Sequence, residues 1–237
     1  MPSIEFLGNW SSNIESGKRN ISIIIDRKTV LDFGPHSLES LLEMGIDPKN
    51  IETVLISHMH LDHFAGIPEI LWYRAIHRCK ENLSVIGPKG IRKVTESLLR
   101  SYHTPEAFEI NVEYREEKGD FAQGFLSNHL IRDIGYRIEL GNTVLYYSGD
   151  TSYTENSSKG ADGSDILFHE MTYLDSDRSE ADFWKHSTVS DALRVHSEAR
   201  SKILVPVHLS SSTYAYIRNY SGKISSLRPP EGKITIP

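Results

Sequence analysis

The sequence predicts an α+β fold in which helices cover the outer faces of two β-sheets. Short apolar and β-branched runs, bounded by turn residues, come early in each half of the chain and are typical of strands. Segments with apolar residues three and four positions apart lie between and after these runs and are typical of helices. Helices packed outside two sheets would bury such strands. The chain shows no repeat or linker, so we expect residues 1–237 to form a single domain.

In the first half, strands and helices are predicted in alternation after an initial hairpin. The predicted strands occupy Ile4–Leu7, the two arms of a hairpin within Ile21–Asp32, Thr53–Ile56 and Leu83–Ile86. The predicted helices run from Leu38 to Met44, from near Pro68 to Ile76 and from Ile91 to Leu99. Gly45 follows the first helix at the position that a C-terminal glycine usually takes. The stretch Gly8–Asn20 is rich in Asn, Ser and Gly and is predicted to be a loop.

The second half also combines predicted strands and helices, but its sequence is not a repeat of the first half. Its predicted strands are Phe125–Ser127, Tyr136–Leu140, Val144–Tyr147, Ile166–Phe168 and Ile203–Val207. The pair Gly141-Asn142 is a hairpin turn signal between two of them, and Pro206 is expected to break the last strand. Ser187–Ser201 is predicted to be a helix. An acidic stretch before it is predicted to be a loop that would repel a polyanion, and it contains Asp175, Asp177, Glu180 and Asp182.

The composition narrows the class of protein. With 38% hydrophobic and 24% charged residues, a packed core is expected. The net charge of −6 argues against a generally basic nucleic-acid binder, although it leaves room for a local basic groove. Cys79 is the only cysteine, which excludes an internal disulfide and a Cys-rich zinc module. The sequence has neither a visible secretory signal nor a long apolar run, so we expect a cytoplasmic protein without a membrane segment.

The strongest chemical signal is a histidine cluster, Ser57-His58-Met59-His60-Leu61-Asp62-His63, directly after the predicted strand Thr53–Ile56. In an extended chain, side chains two positions apart point the same way. His58, His60 and Asp62 would therefore share one side, and His63 would face elsewhere. Imidazole and carboxylate ligands without thiolate suit Zn²⁺, Mn²⁺ or Fe. The alternative is a solvated polar loop that happens to contain several histidines.

Further metal ligands are expected elsewhere, because a catalytic metal needs about three protein ligands and an open position. His129, Asp150 and His208 each follow a predicted strand, and the ends of strands can converge on one edge of a sheet. Taken singly, each has an ordinary alternative. A lone histidine after a strand is commonly a surface or core residue, and Asp150 could cap a turn.

In combination, these residues resemble the metallo-β-lactamase superfamily. The pattern His58-x-His60-x-Asp62-His63, followed by His129, Gly149-Asp150-Thr151 and His208, spans almost the whole chain. The resemblance implies a four-layer αββα sandwich with a dinuclear metal site at one edge of the two sheets. It implies that one metal is held by His58, His60 and His129, the other by Asp62, His63 and His208, and that Asp150 bridges them. Zn²⁺ is the first choice for both ions, with Mn²⁺ or Fe as alternatives. The cysteine ligand of many true β-lactamases has no counterpart, which disfavours antibiotic hydrolysis.

Two further motifs narrow the branch of the superfamily. His169-Glu170-Met171-Thr172 and His186-Ser187-Thr188 resemble the HEAT and HST motifs of the ribonuclease Z group, with Met171 in the place of the usual alanine. In that group the residues matching Glu170 and His186 are thought to assist departure of the leaving oxygen. The alternatives are that Ser187 or Thr188 only caps a helix and that Glu170 is an exposed acid at the end of a strand.

The resemblance implies a phosphodiesterase in which a hydroxide bridging the two metal ions attacks phosphorus. Asp62 would orient that hydroxide, and His186, held by Glu170, would protonate the departing oxygen. The expected substrate is an RNA 3′ end, a tRNA precursor or a cyclic nucleotide, and the expected assembly is a homodimer. Relatives usually carry a flexible tRNA-binding arm between the positions of His129 and Asp150, but Leu130–Gly149 has room only for two strands and their turn.

Two other functions stay open from the sequence. The same scaffold could hydrolyse another ester, such as a lactone, a thioester or a sulfate ester. A metal-binding or nucleic-acid-binding protein without turnover is the third possibility. The full set of expected ligands disfavours the third hypothesis, and the pair Glu170 and His186 favours a phosphodiester over other esters.

Overall fold

The computed structural model describes residues 2–220, 227 and 233–235, and it contains two mixed β-sheets. Its strands are β1 Ser3–Gly8, β2 Ser22–Ile25, β3 Thr29–Leu31, β4 Thr53–Leu55, β5 Leu83–Gly87, β6 Val112–Glu116, β7 Ala122–Leu126, β8 Ile134–Leu140, β9 Thr143–Tyr147, β10 Ile166–Glu170, β11 Ile203–Val207 and β12 Lys233–Thr235. Its α-helices are α1 Ser37–Glu43, α2 Leu61–Phe64, α3 Ile67–Ile76, α4 Ile91–Ser101, α5 Glu155–Gly160, α6 Arg178–Trp184, α7 Val189–Ala199 and α8 Ser211–Tyr220.

Each sheet joins an antiparallel part to a parallel part. The larger sheet has the order β12-β1-β2-β3-β4-β5-β6. Its pairs are antiparallel as far as β3 and parallel from β3 to β6. The smaller sheet has the order β11-β10-β9-β8-β7, in which β11, β10 and β9 are parallel and β9, β8 and β7 antiparallel. The carboxyl ends of β4, β9, β10 and β11 carry the histidine, aspartate and glutamate motifs of the sequence.

Apolar side chains divide into three clusters, which separate four layers. The central cluster lies between the sheets and includes Leu55 from the larger sheet and Phe168 from the smaller sheet. A second cluster packs the outer face of the larger sheet against α1, α3 and α4, as at Val54 and Ile70. The third packs the outer face of the smaller sheet against helices that include α7, as at Leu167 and Val195. The predicted α+β architecture, with helices outside two sheets, is therefore confirmed.

Most predicted elements are present with small changes at their ends. Gly141 lies in the tight turn between β8 and β9, where its φ of 61° is a conformation that glycine adopts without strain. The expected break at Pro206 is wrong, because β11 runs through it. The strand lies at the edge of the sheet among the described residues, and an edge strand has one side on which no N–H is needed.

The sequence patterns missed several elements. Helices α2, α5 and α8 lack a clear apolar period of their own, whereas strand β6 has the alternating residues Val112 and Tyr114 and was not predicted. The acidic stretch is also not a loop, since a 3-10 turn at Asp175–Asp177 leads into α6. There Arg178 donates to Asp191 at 2.6 Å, and Asp175 accepts from the backbone N–H of Ser190 at 3.0 Å. Arg178 Nη1 also lies 3.6 Å from Asp182 Oδ1, so part of the acidic charge of the stretch is balanced within the fold. None of the helices in the described part of the chain is long and apolar enough to cross a membrane.

Candidate active site

The histidine motif after β4 changes conformation halfway along. His60 is extended, but Leu61–Phe64 forms one turn of helix. The expectation that His63 faces away from the other ligands is therefore wrong, because the parity of an extended chain ends at His60. The helical turn brings Asp62 and His63 into the same group of side chains. Both are buried, as is His58.

Three histidines form the first candidate metal cluster. The ring nitrogens His58 Nε2 and His60 Nδ1 are 2.9 Å apart, and His129 Nε2 lies 3.2 Å from His60 Nδ1. His129 comes from the loop after β7, 69 residues along the chain from His60. The three rings therefore converge only through the packing of the two sheets. They offer three nitrogen ligands within reach of one ion.

The second cluster contains one carboxylate and two histidines. Asp62 Oδ2 lies 3.2 Å from His208 Nε2 and 3.4 Å from His63 Nε2. His208 follows β11 and has a φ of 53°, in the left-handed region that residues other than glycine rarely adopt. Hydrogen bonds around it support this backbone, because Asn9 Oδ1 accepts from the N–H of His208 at 3.3 Å. These three side chains could hold a second ion.

Asp150 lies between the two clusters. Its Oδ2 atom is 3.3 Å from His63 Nε2, 3.5 Å from His208 Nε2 and 3.7 Å from His58 Nε2. The preceding Gly149 has a φ of 60°, and a Cβ there would come within 2.2 Å of Asp133 Oδ1. Only glycine can therefore deliver Asp150 to this position. One carboxylate is thus within reach of ligands from both clusters.

The donor set suits divalent metal ions. Buried His63 Nε2 and Asp150 Oδ1 have no hydrogen-bond partner within the described protein, as expected of atoms that await another ligand. Burial holds the pKa of His58 well below its ordinary value and, with the charges of neighbouring histidines, lowers the pKa of His60 to about 4, so both rings are neutral. The neutral imidazoles of His58 and His60, with carboxylate ligands and without thiolate, match Zn²⁺ and similar ions.

The two carboxylates of the clusters are ionised. Burial alone would raise the pKa of Asp150, but His208, His63 and His186 together hold it well below its ordinary value. Burial alone would also raise the pKa of Asp62, but His63 and His208 outweigh burial and hold this pKa below its ordinary value. The site therefore concentrates negative charge on two buried oxygen ligands, which favours cations.

Two buried aspartates support the candidate metal-binding histidines, and the sequence patterns missed both. Asp133 Oδ2 accepts from His58 Nδ1 at 2.8 Å and from the backbone N–H of Asp150 at 2.9 Å. Asp32 Oδ2 accepts from His63 Nδ1 at 2.7 Å and also from the hydroxyl of Tyr147. Such partners orient metal-binding histidines and fix the protonated nitrogen. The only signal in the sequence was a polar residue at the end of β3 for Asp32 and just before β8 for Asp133.

Glu170 and His186 form a pair beside the clusters. His186 Nδ1 lies 2.8 Å from Glu170 Oε1 and 3.9 Å from Asp150 Oδ2. Burial lowers the pKa of His186, but the charges of Glu170 and Asp150 outweigh it and raise the pKa to about 9. The expectation that Glu170 could be an exposed acid is wrong, because its side chain is fully buried. Nδ1 is occupied by Glu170, which leaves Nε2 as the ring nitrogen that can meet a substrate.

The motif His186-Ser187-Thr188 also caps a helix, as the alternative interpretation predicted. The backbone N–H of Thr188 donates to Asp191 Oδ2 at 3.0 Å, which forms a capping box at the start of α7. Ser187 donates from its hydroxyl to the carbonyl of Thr151 at 2.6 Å. Ser187 and Thr188 therefore fix the chain next to His186, while His186 itself turns toward Glu170. The capping role and the position of the histidine are compatible.

Comparison with known proteins gives consistent results. A family model described as the beta-lactamase superfamily domain matches residues 29–209. Ribonuclease Z from Bacillus subtilis (strain 168) is 26% identical over 269 residues, which cover 87% of each chain. The crystal structure of human tRNase Z, short form, superposes with a TM-score of 0.82 at 20% identity and covers 99% of both chains. A diphosphatase of the PhnP family superposes with a TM-score of 0.75 at 16% identity, covering 100% of this chain and 98% of the other.

Proposed function

Because this chain belongs to the beta-lactamase superfamily, we propose that it is a metal-dependent phosphodiesterase of the ribonuclease Z type. The family match confirms the resemblance carried by the histidine motifs, and the superposed structures confirm the αββα fold. Curated relatives named ribonuclease Z support hydrolysis of a phosphodiester in particular.

One observation carries the choice of a phosphodiester. The ion pair of Glu170 and His186 stands beside the two clusters, with His186 Nδ1 3.9 Å from Asp150 Oδ2. An alkoxide leaving from phosphorus needs a proton, and a histidine held by a buried carboxylate can supply one. A thioester leaves as a thiolate, a stabler anion with less need of such a donor, whereas a lactone shares the alkoxide leaving group and is separated by the comparison of substrates below.

We assign the metal ligands as the sequence motifs suggested. The first ion would be held by His58, His60 and His129, the second by Asp62, His63 and His208, with Asp150 shared between them. Two bound divalent ions, Zn²⁺ in the first instance, would supply an activated water and would neutralise the charge of the phosphate. The number and identity of the ions belong to this proposal.

The protein's own groups then have separate tasks. Asp62 stays ionised, so it can accept a hydrogen bond from the attacking water. Glu170 binds Nδ1 of His186 and so directs the Nε2–H toward the departing oxygen. The ring of His186 is partly open to solvent, with 14% of its side chain exposed, which lets it meet a substrate.

The proposed substrates are an RNA 3′ end, a tRNA precursor or a cyclic nucleotide. The segment between His129 and Asp150 contains only β8, β9 and their tight turn, so no arm for gripping tRNA is present there. Substrates that reach the site without such an arm are therefore favoured. The homodimer and the cytoplasmic location expected from the sequence stay predictions.

The test is hydrolysis of bis-p-nitrophenyl phosphate by purified protein loaded with Zn²⁺ or Mn²⁺. We expect turnover that a chelator abolishes and that Asp62→Ala removes. The matched control is Asp120→Ala, because Asp120 is 87% exposed and outside the clusters. A tRNA precursor with a 3′ extension and a cyclic nucleotide would then be compared as natural substrates.

Two results would contradict the proposal. Protein that binds two metal ions but does not hydrolyse any of the phosphodiesters would not be a phosphodiesterase. Faster turnover of a lactone or thioester than of every phosphodiester would assign the same site to another ester class.

A further inference from the structure

Thr172 connects two parts of the site that the chemistry above treats separately. It lies two residues after the end of β10 and is 7% exposed. Its hydroxyl oxygen is 2.7 Å from Glu170 Oε2 and 2.8 Å from His208 Nδ1. One side chain therefore touches both the carboxylate that holds His186 and a candidate ligand of the second metal.

A count of protons fixes the direction of these hydrogen bonds. The hydroxyl of Thr172 carries one proton and has three possible acceptors, namely Glu170 Oε2 at 2.7 Å, the carbonyl of His208 at 3.0 Å and His208 Nδ1 at 2.8 Å. The carboxylate is the strongest acceptor because it carries charge, and it also has the shortest contact.

The carboxylate of Glu170 already acts as an acceptor at both oxygens. Oε1 accepts from the backbone N–H of Thr151 at 2.9 Å, and Oε2 accepts from the N–H of Thr172 at 3.3 Å. Donation from the hydroxyl of Thr172 to Oε2 is therefore consistent with the hydrogen bonds that Glu170 already accepts. With its only proton given to Glu170, the hydroxyl of Thr172 can meet His208 Nδ1 only as an acceptor.

The tautomer of His208 follows. Nδ1 must carry the proton that Thr172 accepts, so Nε2 of a neutral His208 has its lone pair free. That atom lies 3.2 Å from Asp62 Oδ2 and 3.5 Å from Asp150 Oδ2, inside the second cluster. Only this tautomer can bind a metal ion there.

We propose that Thr172 is a positioning residue that holds His208 in its metal-binding tautomer and couples the second metal position to the Glu170–His186 pair. The inference rests on the proposed function for the two-metal assignment, but its hydrogen bonds do not depend on the substrate. Loss of the hydroxyl would free His208 to adopt the other tautomer and would leave Glu170 Oε2 with one partner fewer.

The experiment uses Zn²⁺ and two variants of similar volume. Thr172→Val removes the hydroxyl and keeps the shape, whereas Thr172→Ser keeps the hydroxyl. Competition with a fluorescent chelator should show that Thr172→Val binds the second equivalent of Zn²⁺ about 10- to 100-fold more weakly, the range found when a partner of a metal-binding histidine is lost. The first equivalent should be unchanged, and Thr172→Ser should resemble the wild type.

A second measurement stays informative even if Thr172→Val folds poorly. Long-range ¹H–¹⁵N NMR of the zinc-loaded wild type reports which nitrogen of each histidine is protonated, and His208→Gln identifies the signals of His208. We expect Nδ1–H for His208. A proton on Nε2, or unchanged affinity for the second Zn²⁺ in folded Thr172→Val, would overturn the inference.

The two proposals fail in different ways. If the zinc affinities and the tautomer behave as described but no phosphodiester is hydrolysed, the role of Thr172 stands and the proposed function falls. If the wild type hydrolyses phosphodiesters while Thr172→Val binds both metal ions normally, the proposed function stands and the role of Thr172 falls.

Discussion

His186 Nδ1 lies 2.8 Å from Glu170 Oε1, although the two residues are 16 positions apart in the chain. The carboxylate is fully buried, and burial alone would raise the pKa of Glu170, but the charge of His186 lowers it below its ordinary value. The same attraction, together with that of Asp150, raises the pKa of His186 to about 9 despite burial of the ring. The pair is therefore an imidazolium next to a carboxylate near neutral pH, which suits a proton donor.

Replacement of His186, the proposed proton donor, should affect substrates unequally. We predict that His186→Asn lowers kcat by about 10²- to 10⁴-fold for a phosphodiester with an alkoxide leaving group. The loss on bis-p-nitrophenyl phosphate should be below about tenfold, because nitrophenolate leaves without a proton. Steady-state kinetics on both substrates measure the difference.

The zinc content of His186→Asn serves as the control, and it should equal that of the wild type. Equal losses on both substrates, with both metal ions bound, would show that His186 does not act as the proton donor.

The metal-free protein should lose stability at alkaline pH. The folded-state pKa of His186, about 9, exceeds the ordinary value of 6.5. The stability from its protonation is therefore complete below pH 6.5 and is lost as the pH rises through about 9. Urea unfolding of chelator-treated protein at intervals between pH 6 and pH 10 would measure this change.

His186→Asn is again the informative variant. Its free energy of unfolding should fall less over this pH interval than that of the wild type. His63 also has a raised pKa from Asp150 and nearby aspartates despite burial, so part of the dependence should persist. An identical pH profile in both proteins would contradict the ion pair.

The support of His58 by Asp133 predicts a defect in metal binding. Asp133→Asn puts an amide, with one acceptor oxygen instead of two, in place of the carboxyl group that accepts from His58 Nδ1 at 2.8 Å, and it should weaken the affinity for Zn²⁺ about 10- to 100-fold. Chelator competition measures the affinity, and the exposed Asp120→Asn is the matched control. Unchanged zinc affinity in folded Asp133→Asn would refute this role.

The core between the sheets gives a prediction about stability. Leu55→Ala opens a cavity at a fully buried position and should lower the free energy of unfolding by about 2–5 kcal/mol. Leu42→Ala, at a position that is 48% exposed, should change it by less than about 0.5 kcal/mol. Urea unfolding of the two variants side by side tests the contrast, and similar losses would argue against the two-sheet core.

The sequence alone determined the elements whose signals are local. Apolar runs defined β4 and β10, the Gly141-Asn142 pair defined the hairpin of β8 and β9, and the spacing of His58 and His60 indicated a metal site. Motif order added His129, Asp150, His208 and the pair Glu170 and His186. These signals are readable because strand and helix periods and ligand spacing act over a few residues.

Which groups meet depends on the packing of elements that are far apart in the chain. The helical turn at Leu61–Phe64 overrode the strand parity that would have turned His63 away, and the edge position of β11 let Pro206 remain in a strand. Asp32, Asp133 and Thr172 meet histidines that lie 31, 75 and 36 residues away in the chain, contacts that no local pattern in the sequence indicates. Their roles depend on how the two sheets and their loops pack, and no local period encodes contacts of that range.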